Sequence, residues 1–182
     1  FIIALIWWNL SGPAIDINTS EPGMDNRGSD ADGGNEIINI GAFFELFADT
    51  DSELNDTWPR FRGPEFDNIK KSGSGLIEEF DNDPKIQWSV ELGEGHAGPS
   101  VFKGKVYLLD YDEEIKADML KCYSLKDGKE LWRRWYNVNI KRNHGMSRTI
   151  PALTEDYILT IGPRSHVMCL DRETGDLRWG MD

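Results

Sequence analysis

Few side chains in this sequence are typed and spaced for chemistry. His96, His144 and Arg148 could together bind an anion, since imidazolium and guanidinium are donors. His96 lies three residues before Pro99, and Arg148 three before Pro151, so the two occupy matching places. Loop histidines are commonly just solvated, and His166 falls within a strand-like alternation that suits packing or surface. The two cysteines, Cys122 and Cys169, would invite a disulfide in an exported protein. Asp30, Asp32 and Gly33 have the flavour of a calcium loop. The frame fails, because its first position would be Gly28 and its twelfth Asn39. No arrangement of nucleophile, histidine and acid can be read from the order of residues.

The elements around these residues differ along the chain. The net charge is −12. Residues 1–57 hold eleven acidic residues and one basic residue, Arg27, so −10 belongs to that stretch. Such a field repels phosphate, and no basic patch invites nucleic acid. The opening Phe1-Ile2-Ile3-Ala4-Leu5-Ile6-Trp7-Trp8 is too short to span a bilayer. It suits the tail of a signal peptide or the outer end of a membrane anchor, with residues 1–14 as that segment. Residues 15–57 read as an acidic flexible tether, rich in turn formers and short of core residues. Ala42-Phe43-Phe44-Glu45-Leu46-Phe47 interrupts it and could form a helical turn or dock on the domain.

From Trp58 onward, short β-rich runs alternate with Gly, Pro and Asp turns, as in Lys105-Val106-Tyr107-Leu108-Leu109 and Tyr157-Ile158-Leu159-Thr160-Ile161. The stretch also repeats. Cys122, Gly128 and Trp132 recur as Cys169, Gly175 and Trp179, each 47 residues later. Pro99 recurs as Pro151 after 52, so the first unit carries five extra residues, placed in Asp110–Asp118. Four strands are expected per unit: about 99–103, 105–110, 119–124 and 129–136, then 149–154, 157–161, 166–171 and 176–181. Trp88, 44 residues before Trp132, is expected on the outer strand of a preceding unit. A four-stranded period in the forties predicts an all-β propeller, here two full blades and part of another in an incomplete ring.

The second unit resembles the pyrroloquinoline-quinone (PQQ) type propeller signature A-x-D-x-x-T-G-x-x-x-W. Asp171, Thr174, Gly175 and Trp179 match it, and Cys169 stands for the alanine. The first unit keeps Gly128 and Trp132, with Cys122, Ser124 and Asp127 at the other places. Trp58-Pro59-Arg60-Phe61-Arg62-Gly63-Pro64 is similar to the opening of many exported proteins of this type. The resemblance implies that residues 58–182 are truncated propeller repeats whose signature serves blade docking rather than the quinone. On that reading the glycines supply φ > 0 in a tight turn, and Asp171 and Thr174 bond turn amides. The indoles wedge between blades, and the two cysteines are core residues rather than a bridge. Entry loops carrying His96, His144 and Arg148 would face a central funnel. Arg133-Arg134 and Lys141-Arg142 read as a solvated face.

Two functions follow from the resemblance. One is an exported, non-catalytic scaffold for protein or ligand binding at the cell envelope, similar to outer-membrane assembly propellers. It would be periplasmic or membrane-anchored, touch the membrane only through its N-terminal segment, and need no cofactor. The other is a PQQ-dependent dehydrogenase with calcium, whose adjacent cysteine pair does not occur in this sequence. The scaffold is the favoured expectation.

Overall fold

The computed structural model describes residues 38–49, 54–71, 79, 83, 85–140 and 146–181. Ten strands and no helix occur among them. Residues 1–37, which include the apolar opening, lie outside the described residues, as do His144 and Lys141-Arg142.

The first repeat is a meander of β3 (Ser100–Phe102), β4 (Lys105–Asp112), β5 (Ala117–Ser124) and β6 (Glu130–Asn137). The second runs through β7 (Ala152–Leu153), β8 (Tyr157–Ile161), β9 (Val167–Asp171) and β10 (Leu177–Met181). All pairings are antiparallel, in the sheet orders β6-β5-β4-β3 and β10-β9-β8-β7. These are the two expected four-stranded blades. The β3–β4 hairpin turns at Lys103 and Gly104, with φ of 44° and 76°, the paired positive values that match the strands' twist. The five extra residues of the first unit lengthen its central hairpin. β4 and β5 have eight residues each, against five each in β8 and β9.

Two short strands from earlier in the chain extend the first blade at both edges. β2 (Thr57–Trp58) pairs with β3, and β1 (Phe43–Leu46) pairs with β6. Both begin inside the stretch assigned from sequence to a tether. The Phe43-Phe44-Glu45-Leu46 patch is a docked strand rather than a helical turn. Its backbone groups complete an edge that would otherwise lie open. Ahead of it, Ile38 and Ile40 are buried, and a Cβ on Gly41 would stand 2.9 Å from a Leu177 methyl. The arm at 38–46 therefore leans on both blades.

The core lies between the two sheets. Tyr107, Leu109, Leu120 and Tyr136 of the first blade meet Ile158, Met168 and Leu170 of the second in one buried cluster. Aromatic and β-branched residues suit such a pleated, two-sided surface. Among the described residues no closed ring forms.

Candidate functional site

The β9–β10 turn is held by its own side chains. Asp171 Oδ1 accepts the backbone N–H groups of Glu173 and Thr174, both at 3.0 Å. Thr174 Oγ1 donates to Asp176 Oδ2 at 2.8 Å, and Arg178 donates to Asp171 Oδ2 at 2.5 Å. The Thr174 amide, then Arg178, hold the Asp171 carboxyl down to about 2. Gly175 closes the turn at φ 74°, with its N–H on the Asp171 carbonyl at 2.9 Å. The β5–β6 turn has the same frame, with the Gly128 N–H on the Ser124 carbonyl at 2.9 Å and φ 72°. Here hydroxyl and carboxylate have changed places. A hydrogen bond from Ser124 lowers the Asp127 carboxyl, where Thr174 and Asp171 stand in the other unit. The two substitutions in the first signature thus preserve one pair.

Each turn glycine is backed by the indole of the preceding unit. A Cβ on Gly128 would stand 2.7 Å from the Trp88 ring, and one on Gly175 would stand 3.2 Å from the Trp132 ring. Only glycine combines the positive φ with so close an approach. Trp88 Nε1 also donates to the Leu125 carbonyl at 2.9 Å, although Trp88 lies on no strand rather than on an outer one. Trp132 is 3 % exposed and packs against Tyr107 and Phe44. Cys122 faces Trp132 across the sheet, and Cys169 faces Trp179, so a small residue stands opposite the indole in both blades.

Trp179, the third indole, is 48 % exposed. Around it the outer face of the second blade forms an apolar cavity of about 570 Å³, lined by Leu153, Tyr157, Leu159 and Cys169, with Arg60 and Arg178 among its walls. Cys122 and Cys169 are both free and buried, and desolvation pushes the Cys122 thiol up to about 12. The His96 backbone N–H donates to the Ser147 carbonyl at 2.9 Å, which brings the loops of His96 and Arg148 side by side. Both residues are exposed.

Several contributors escaped the sequence reading. Arg134, read as part of a solvated face, is 8 % exposed. Its Nε donates to the Gly175 carbonyl at 2.6 Å, its Nη1 to the Gly41 carbonyl at 2.8 Å, and its plane covers the Phe44 ring. One guanidinium thus ties together both blades and the arm. Asp118 is also buried, with Ser147 Oγ donating to one oxygen at 2.5 Å and Tyr136 Oη to the other at 3.0 Å. His166 is 1 % exposed, a packing residue edge-on to Tyr136. Nothing in a linear pattern marks a buried arginine or aspartate, because their partners are distant in sequence.

The Asp171 oxygens, the Thr174 hydroxyl and the Gly175 backbone are engaged within the turn or with the neighbouring blade. Among the described residues no group of three or more His, Cys, Asp or Glu could hold a metal ion.

Repeated four-stranded sheets, joined by an indole of one against a glycine of the next, define a propeller-repeat protein of the PQQ type. The family model described as outer membrane protein assembly factor BamB matches residues 71–182, and the chain belongs to that family. No curated protein matches the chain.

Proposed function

We propose that this protein is an exported propeller scaffold that holds protein partners at the cell envelope, with its N-terminal segment as the means of export or attachment. The supporting observation is the use of the repeat signature. Its aspartate, threonine, glycine and tryptophan serve turn closure and blade contact, so the loops and outer surfaces are left for recognition. The family description points the same way. The exposed His96 and Arg148, on adjoining loops, are the proposed contacts for an acidic group of the partner. His144 is proposed to join them. No cofactor enters this reading.

A photoreactive residue placed at 96 or 148 of the protein expressed in its own cells tests it. Discrete adducts with envelope proteins, found in the envelope fraction, are the expected result. Tight quinone absorbance after adding PQQ and calcium, with alcohol-dependent dye reduction, would replace the scaffold by a dehydrogenase.

A further inference from the structure

The lengthened central hairpin of the first blade ends over the shorter β8–β9 turn of the second. Asp118 sits on that extension, opposite Tyr111 on β4 and Tyr136 on β6. Its carboxyl meets three separate stretches of chain: Tyr136 of the first blade, Ser147 of the loop entering the second, and Gly162 of the β8–β9 turn. A Cβ on Gly162 would stand 2.7 Å from Asp118 Oδ2 and 2.2 Å from Tyr136 Oη, so glycine is what lets the turn close over the hydrogen bond.

Among the described residues, both donors to this carboxyl are neutral hydroxyls. No arginine or lysine pairs with it among the described residues. The nearby charged group is Asp110, a like charge that is itself paired with Lys121 at 2.6 Å. Tyr111 gives its hydroxyl to the Val138 carbonyl. His166 touches Tyr136 through its ring, Glu94 bridges to Tyr111, and Arg148 and Arg164 are exposed. Among the described residues, an ionised carboxylate here is deeply desolvated and faces no ion-paired cation. A neutral carboxyl loses nothing by comparison. Hydroxyls rotate, so Ser147 or Tyr136 can turn from donor to acceptor when Asp118 carries a proton.

We propose that the seam between the two blades is a proton-binding joint, in which Asp118 takes up a proton on mild acidification and the second blade tightens against the first. Burial supports this by raising the carboxyl from its ordinary 3.8 to about 6, outweighing the two hydrogen bonds that lower it. A carboxyl raised in the folded state binds its proton before the unfolded chain does. The contribution to stability is therefore full below about pH 4 and is lost as pH rises through about 6.

Urea denaturation of the whole 182-residue protein and of Asp118→Asn, from pH 4.5 to pH 7.5, tests the joint. Charges remote from the joint and common to both proteins cancel in the comparison. Asn keeps the shape without the charge. The advantage of the variant over wild type should grow with pH, by roughly 25-fold in the unfolding equilibrium over the full window. A gap that stays constant or shrinks would overturn the proposal. If Asp118→Asn does not fold, Tyr136→Phe serves in its place. It removes one hydrogen bond to the ionised form, so the fall in stability should extend to higher pH; an unmoved limb would count against the joint. Infrared difference spectroscopy at pH 5 adds a direct reading, a protonated carboxyl band in wild type that Asp118→Asn lacks. Identical band intensities in the two proteins would also overturn the assignment.

Discussion

The two blades share a plan and differ in cover. In the first, β4 and β5 are buried along almost their whole length, with Tyr107, Leu120 and Cys122 fully enclosed. One face meets the second blade, and at its edges β1 and β2 complete the sheet. In the second, β8 alternates strictly, with Ile158 and Thr160 buried and Tyr157, Leu159 and Ile161 exposed. The same repeat residue therefore has a different energetic weight in each place. A signature specifies a position in the blade, while burial by the neighbour decides what that position is worth.

The widest gap should separate the two indoles. Trp132→Ala removes an enclosed ring and leaves a cavity, so it should cost ~3–5 kcal/mol in urea denaturation. Trp179→Ala, on a half-exposed ring, should cost less than ~1 kcal/mol in this chain. Equal losses would erase the distinction between covered and open blades.

The turn glycines offer a finer probe. Gly128→Ala and Gly175→Ala each place a Cβ at positive φ, at a strain of about 1–3 kcal/mol. Gly128→Ala should be the worse, since its Cβ falls nearer an indole. In a Trp88→Ala background the excess should vanish and the backbone strain remain. A cost for Gly128→Ala that is unchanged by removing Trp88 would show that the ring does not back the turn.

Acid should distinguish the turns further. The Asp171 carboxyl is lowered in the folded state, so its contribution is present above about pH 4 and is lost as pH falls toward 2. Because the turn is near solvent, Asp171→Ala should cost only ~1 kcal/mol at pH 7, shrinking to nothing at pH 2. A loss that persists at pH 2 would assign the effect to packing instead. The gentlest test is thiol labelling of the native protein, which perturbs no contact in advance. Cys169, at the open face, should react faster than the enclosed Cys122, and mass spectrometry of timed samples reads the order.

The blades themselves were legible because their information is local. Hairpin glycines, alternating apolar residues and the Gly-to-Trp spacing lie within a few residues of one another, and they located eight strands to within a few positions. β1 was not legible, since Phe43-Phe44-Glu45-Leu46 becomes a strand only through β6, 92 residues away in the pairing of Phe43 with Trp135. Arg134 and Asp118 were missed for a related reason. Their burial is tolerable only because carbonyls and hydroxyls from remote segments surround them. The Trp88 position was read from its spacing to Trp132, but a strand needs a hydrogen-bonded neighbour as well as spacing, and Trp88 is instead held by its ring against Gly128 and its Nε1 on the Leu125 carbonyl.

The arm at 38–46 has a consequence for biosynthesis. A ribosome or an export channel delivers it before anything it rests on. Its strand partner β6 comes much later, and Met168, Leu177 and Gly180, against which Ile40 and Gly41 pack, come last of all. Phe43 must therefore wait in the open until the first blade is made, and Ile40 until both are, and chains caught in that state carry exposed apolar surface that invites aggregation. The earliest part of the described chain to be synthesised is thus the last to find its place.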